Sequence, residues 1–252
     1  MHHLPLLLIA GFLAGAMNAL AGGGSFVTLP ALVLAGLPSV TANASSTVAL
    51  FPGSLASIWV YRDGIARPGG VLPGTSIGAL LAASLVGGLA GAVLLLATPS
   101  ATFDHIIPWL LLLATLALAF GPRVGLALRR VIRLGAPPLL AGQFLLGIYG
   151  GYFGGAVGIM MMAVWSLLGT ADLKAMNPVK TLLVAATNTV AVLCFAAADA
   201  VRWPETSAVL LAALVGGYTG ARAGSCLGPR LIRAAVVSIT AGMTIAFFIR
   251  AG

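Results

Sequence analysis

Apolar residues run along this chain in blocks too long for a soluble core, separated by short polar or basic stretches. The first block extends from Leu4 to Leu37 and is interrupted only at Ala21-Gly22-Gly23-Gly24-Ser25. Three consecutive glycines disfavour a helix interior by roughly 1 kcal/mol each relative to alanine. Broken backbone at membrane depth is tolerated only where it packs in protein or lines a polar cavity. The pattern predicts a helix over Leu4 to Leu20, a break, and a short helix over Phe26 to Gly36. Leu37-Pro38-Ser39 reads as a turn. A third segment, Ala42 to Tyr61, opens with the polar run Asn43, Ser45, Ser46 and Thr47. Arg62 to Pro68 reads as a loop. A fourth segment, Val71 to Ala97, is rich in small residues, including Gly87, Gly88 and Gly91, which suits close helix packing. Thr98 to His105 reads as a short loop, and a fifth segment runs from there to Phe120.

The second half repeats this plan. Phe12-Leu13, Gly15 and Gly22-Gly23 recur at one constant spacing as Phe144-Leu145, Gly147 and Gly154-Gly155. Leu85-Val86-Gly87-Gly88 and Gly91-Ala92 recur as Leu214-Val215-Gly216-Gly217 and Gly220-Ala221. Fixed spacing over several glycines points to internal duplication, against the alternative of chance in a Gly/Ala/Leu-rich chain. The expected organisation is a single transmembrane domain over 1–252. It comprises a first repeat over 4–122, a basic cytoplasmic linker over 123–135, and a second repeat over 136–250.

Composition supports a membrane location. The 252 residues are 60% hydrophobic and only 7% charged, where a soluble domain has about 25% charged residues. At about 20 residues per spanning helix, the length limits the chain to roughly eight to ten passes. The apolar core at the N-terminus resembles a signal peptide, but Met1-His2-His3 lacks Lys and Arg and the chain stays apolar far beyond, so it reads as a first span. The net charge of +8 could indicate nucleic acid, but the arginines sit mostly at the ends of apolar runs, where the positive-inside rule accounts for them. No nucleic-acid partner is expected. Cys194 and Cys226 lie in apolar surroundings and read as buried thiols.

Charge also orients the halves. In the first, Arg62 and Arg67 follow the third segment, four arginines follow the fifth, and the loop between holds Asp104 and His105. In the second half the pattern swaps: Asp199, Arg202 and Glu205 follow the third segment, and Arg230 and Arg233 lie in the next loop. If positive loops are cytoplasmic, equivalent loops lie on opposite sides and the halves are inverted repeats. The broken pair in each half must then act as a hairpin. Arg250 argues for the parallel alternative, in which each half crosses four times. The fold class is therefore all-α, a polytopic membrane protein of two homologous halves. Each half carries a glycine-broken helical element, and inverted repeats of this kind are a transporter design.

Lys180, in Asn177-Pro178-Val179-Lys180-Thr181, is the sharpest single residue. Ionisable residues within membrane segments are rare and usually face a cavity; the alternative is a lysine snorkelling to the interface. A helix restarting after a glycine break points free N–H groups forward, which makes an anion site. The candidate substrate-binding set is Gly22, Gly23, Gly24 and Ser25 at the first break and Gly154, Gly155 and Gly158 at the second. Asn43, Ser46 and Thr47, then Asn177, Lys180, Thr181 and Asn188, complete it from the third segments. Capping is the plainer role for any one polar residue at a helix start, and helix–helix hydrogen bonding for Thr187 and Asn188. Gly74-Thr75-Ser76-Ile77-Gly78 matches the Gly-x-Ser-x-Gly hydrolase pattern, but it lacks the strand–turn–helix setting and a histidine partner. No metal-ligand spacing or phosphate-binding loop is present in the sequence, so no cofactor, enzyme activity or ATP-driven step is expected.

These residues resemble the sulfite exporter TauE/SafE family, also called the 4-toluene sulfonate uptake permease family. The first-half resemblance lies in Ala14 to Gly24, then Leu29-Pro30-Ala31-Leu32 and Gly36-Leu37-Pro38. The second-half resemblance lies in Gly147 to Gly154, Gly158, Lys180-Thr181-Leu182-Leu183, Thr187-Asn188, Trp203-Pro204 and Gly220-Ala221-Arg222. It implies a secondary transporter in the bacterial inner membrane, moving sulfite or an organosulfur/sulfonate anion by alternating access. Some relatives carry a lysine at the start of the third segment where this chain has Ser46-Thr47, and a glycine and a hydroxyl residue in place of Ala156 and Val157. Both departures make the site less cationic and less polar. The expected partners are a small anion, the lipid bilayer, a coupling ion and a second copy in a homodimer. An anion channel and a non-transporting membrane scaffold are the alternative readings.

Overall fold

The computed structural model describes residues 3–20, 22–66, 75–128, 136–166, 173–224 and 229–251. These form the helices α1 (Leu4–Leu20), α2 (Ser25–Leu34), α3 (Ser39–Ala66), α4 (Ile77–Ala97) and α5 (Ser100–Leu128). The second half supplies α6 (Ala136–Tyr152), α7 (Val157–Ser166), α8 (Leu173–Ala197), α9 (Trp203–Gly224) and α10 (Pro229–Ala251). The protein is an all-α polytopic membrane protein. Ile77–Ala97, Ser100–Phe120 and Met176–Ala197 are long and apolar enough to cross a membrane by length and composition, and Leu4–Leu20, Ser25–Leu34 and Ala234–Ile249 are shorter apolar helices.

Among the described residues every expected segment holds a helix, with shifts at the ends, and α5 begins at Ser100, inside the Thr98 to His105 stretch expected to be a loop. α3 begins at Ser39 and continues through Arg62-Asp63-Gly64, where a loop was expected. Packing holds that last turn in place, because Gly64 lies against the ring of Pro178 in α8. α5 runs on to Leu128, into the stretch expected to be linker. Arginine and leucine are good helix formers and carry the helix on. The rest of that linker, with Arg67, Gly74 and Cys226, lies outside the described residues.

The same packing occurs twice. Gly87 of α4 lies against the Phe144 carbonyl of α6, and Gly216 of α9 against the Phe12 carbonyl of α1. Gly91 meets Ile148 as Gly220 meets Ala16. A side chain at any of these glycines would overlap the neighbouring backbone, so the helices approach as closely as glycine allows. In both pairs the contact positions rise together along the two chains, so α4 runs parallel to α6 and α1 parallel to α9.

The pairs formed by corresponding helices run the other way. Ser54 of α3 meets Asn188 of α8, 134 residues on, and Gly64 meets Pro178. Thr115 of α5 meets Thr244 of α10, 129 residues on, and the Trp109 ring packs edge-on against Phe248. Positions rise on one helix as they fall on the other, so α3/α8 and α5/α10 are antiparallel. The interior between them is apolar and dense, with Phe26, Phe103, Phe153, Phe195 and Trp165 fully buried. Gln143 is one of its paired polar members, accepting from the Trp165 indole N–H and donating to the Ser84 hydroxyl. Trp109, Leu145, Leu211 and Ile249 stand out on the exterior, each more than 60% exposed, which is surface suited to lipid.

Candidate functional site

The first break lies between α1 and α2. Gly22 and Gly23 have φ of +80° and +92°, a region that side-chain-bearing residues rarely adopt. The Gly22 N–H closes α1 by donating to the Met17 and Asn18 carbonyls. The Asn18 side chain then turns forward, and its Oδ1 accepts from the Gly24 N–H at 2.9 Å. Part of the α2 N-terminus is therefore satisfied by the protein itself. Nothing lies within 4 Å of where a Cβ on Gly22 would sit. Ser25 is half-buried, and its hydroxyl has no hydrogen-bond partner among the described residues.

The second break lies between α6 and α7. Gly154 has φ +79°, matching Gly22, and Ala156 has φ +57°, an uncommon conformation for a residue with a Cβ. The Phe153 and Gly154 N–H groups both donate to the Tyr149 carbonyl, closing α6. The position equivalent to Asn18 is Gly150, which offers no cap. No side chain among the described residues accepts from the Val157 or Gly158 N–H. Lys180 lies beside that uncapped end: a Cβ on Gly158 would stand 3.5 Å from its Cδ and 3.8 Å from its Cε. The lysine Nζ donates to Asn177 Oδ1 at 2.9 Å. Gly158, Asn177 and Lys180 are thus brought together as one group. Thr181 is half-buried next to Lys180 and makes no side-chain hydrogen bond among the described residues.

The two breaks meet. Phe26, two residues beyond Gly24, packs edge-to-face on Phe153 with ring centroids 6.4 Å apart, and both rings are buried. The start of α3 joins them: Asn43 Nδ2 donates to the Tyr152 carbonyl at 2.9 Å, and Thr47 Oγ1 lies 3.9 Å from a Cβ placed on Gly154. Ser46 shares a hydrogen bond with Thr28 of α2. Gly155 lies under the Phe153 ring.

The polar starts of α3 and α8 do not form one cluster. With α3 and α8 antiparallel, Asn43, Ser46 and Thr47 fall on one side of the Ser54–Asn188 crossing and Asn177, Lys180 and Thr181 on the other. Asn188, a candidate substrate-binding residue, sits at the crossing and donates to Ser54 Oγ at 3.5 Å, the helix–helix bond that was its plainer alternative role. Its Oδ1 is buried with no partner among the described residues.

Comparison with known proteins bears on this arrangement. The sulfite exporter TauE/SafE family matches residues 7–247, a range that takes in both breaks and both polar helix starts. The chain belongs to the sulfite exporter TauE/SafE family. It is 32% identical over 247 residues to "Probable membrane transporter protein YfcA" of Escherichia coli K12, covering 96% of this chain and 88% of the relative. It is 29% identical over 247 residues to "Probable membrane transporter protein" of Haemophilus influenzae, covering 96% and 92%. A further relative, "Probable membrane transporter protein ORF9" of a Sinorhizobium species, is 29% identical over 252 residues, covering 97% and 92%. The protein is therefore a multi-pass membrane protein of a transporter family.

Within this TauE/SafE chain, Ser76 of the hydrolase-like pattern is the N-cap of α4, accepting from the Ala79 N–H at 3.1 Å. Sequence reasoning missed the aromatic pair Phe26 and Phe153, and the Tyr152 carbonyl that orients Asn43. The available signal was an aromatic residue flanking each glycine break.

Proposed function

We propose that this protein is a secondary carrier that binds a small sulfur-containing anion, sulfite or an organosulfonate, at the second break. Supporting this most is the α7 N-terminus, uncapped and flanked by Lys180 inside the helical bundle. Backbone N–H groups at a helix start carry roughly half a positive charge, and an ammonium beside them adds a full one. Lys180 now holds Asn177; an incoming oxyanion offers it a charged acceptor in place of a neutral amide. The family description and the transporter names of the relatives agree with this chemistry.

Alternating access follows from an inverted repeat, and the antiparallel packing of α3 on α8 and α5 on α10 supports that inversion. A two-fold axis lying across the helices makes corresponding helices antiparallel, whereas an axis along them would make them parallel. Contacts between equivalent residues, Ser54 with Asn188 and Thr115 with Thr244, fit an axis passing through both points. Charge agrees. Arg62, Lys174, Arg222, Arg230 and Arg233 belong to helix ends gathered at one end of the bundle; Asp104, Asp199, Arg202, Glu205 and Arg250 belong to the other, which leaves the first the more basic. The arginine-rich end is then cytoplasmic in a bacterial inner membrane. The buried Phe26–Phe153 contact supports an occluding carrier over an open channel.

The test is counterflow in proteoliposomes with sulfite, thiosulfate, a small sulfonate, acetate and chloride. Saturable exchange of one sulfur anion is expected, together with its loss in Lys180→Ala protein that inserts normally. Exchange unaffected by Lys180→Ala would remove the lysine from the site, and unsaturable flux would favour a channel.

A further inference from the structure

Asn43 and Asn177 occupy equivalent places, one turn into α3 and α8, and their surroundings differ in one respect. Asn177 Oδ1 accepts from the Lys180 ammonium at 2.9 Å. In the first half the position of Lys180 is Ser46, whose hydroxyl is engaged with Thr28 instead. Asn43 is only 1% exposed, and its Oδ1 has no hydrogen-bond partner among the described residues. The direction of that amide is fixed by chemistry. Its NH2 must face the Tyr152 carbonyl, 2.9 Å away, because two carbonyl oxygens would repel, so Oδ1 points elsewhere.

The polar groups one helical turn on and across from this residue are acceptors too. Thr47 donates its only hydroxyl hydrogen to the Asn43 carbonyl at 2.9 Å, which leaves the Oγ1 lone pairs beside Gly154 without a donor among the described residues. Tyr152 and Gly154 lie at the C-terminal end of α6, where backbone carbonyls carry partial negative charge. The second half meets this demand with a lysine, and the first half has Ser46 at the equivalent place.

We propose that Asn43 Oδ1, Thr47 Oγ1 and the carbonyl end of α6 bind a monovalent cation of sodium size that is coupled to the anion. The class of ion follows from the donors. They are neutral oxygens with no carboxylate on them, and no cluster of histidine, cysteine or carboxylate suited to a metal exists among the described residues. Divalent ions demand carboxylates, whereas half-helix C-termini and hydroxyl oxygens suit sodium in membrane carriers. Amide and hydroxyl oxygens do not titrate, which rules against a proton at this place. Coupling follows from the break itself. Residues 153–156 separate the negative end of α6 from the positive end of α7, so cation and anion sit on ends of opposite sign a few residues apart. Each then raises the other's affinity by the same factor.

This inference rests on the carrier reading, and the experiment separates the two. Melting of the purified protein is followed in sodium chloride and in choline chloride of equal concentration, each titrated with the transported sulfur anion as its choline salt. Sodium is expected to raise the melting temperature saturably and to tighten the anion Kd about fivefold or more. Asn43→Leu and Thr47→Val are each expected to remove the sodium response. Should Asn43→Leu fail to fold, Thr47→Val carries the test through the nearer match in side-chain shape. Equal melting and equal anion Kd in the two salts, with the anion response intact, would overturn the cation site and leave the carrier. A sodium response retained in Thr47→Val would overturn it as well. Absence of any anion response in either salt would overturn the carrier reading, and the coupling with it.

Discussion

The first break is held mainly by the protein's own groups, and the second leaves its helix start without a side-chain cap among the described residues. Asn18 accepts from the Gly24 N–H at the one; its equivalent, Gly150, leaves the α7 start uncapped at the other. Ser46 forms a neutral pair with Thr28 where Lys180 brings a charge. One backbone device thus occurs in two settings, the first closed by its own side chain and the second the place of the proposed anion site. Helix geometry alone would make both candidate anion sites. What separates them is the presence or absence of an acceptor one turn before the break.

That difference can be attacked from several directions. Phe153→Ala removes the ring by which the breaks touch and leaves a cavity, so a stability loss of about 3 kcal/mol is expected in reversible unfolding. Because Phe26 loses its partner, the loss should shrink when Phe26→Ala is already present. Lys180→Ala should lower transport by about 100-fold, roughly 2.7 kcal/mol. Ser46→Ala, at the equivalent place, should change transport little and lower stability by about 1 kcal/mol, the size of a neutral hydrogen bond. Comparable transport defects in the two variants would erase the distinction between the halves.

Asn18→Ala strips the cap from α2 and should lower the melting temperature by the equivalent of about 1 kcal/mol. If it also creates a second anion-binding event in titration, the cap is what silences the first break. The smallest effect is expected at Ala156, held at φ +57°. Ala156→Gly relieves about 1 kcal/mol of left-handed strain, partly offset by glycine's greater freedom when unfolded. A net stabilisation of about 0.5 kcal/mol should appear as a slightly raised melting temperature.

Much of the fold was legible because glycine has so few other reasons to recur at fixed spacing. Gly22-Gly23 and Gly154-Gly155 located both breaks, and the apolar blocks located the helices of the first half. Pairing was not legible. Periodicity says that a helix has a buried face, not which helix covers it, and so Asn43 and Lys180 looked like parts of one cluster. The antiparallel packing of α3 on α8 sets them on opposite sides of Ser54 and Asn188. The end of α3 was misjudged for a related reason: Arg62-Asp63-Gly64 reads as a loop until Gly64 is seen against Pro178. The role of Asn18 as the acceptor at the first break depended on a turn no pattern encodes.

The most direct measurement is the melting temperature of the purified protein against a series of sulfur anions, in wild type, Lys180→Ala and Asn18→Ala. Binding to the folded state adds about 2.7 kcal/mol when ligand is 100-fold above its Kd. One sulfur anion should raise the melting temperature saturably in wild type and Asn18→Ala, and Lys180→Ala should abolish the shift. A shift that survives Lys180→Ala and disappears in Asn18→Ala would place the anion at the first break and contradict the division of roles between them.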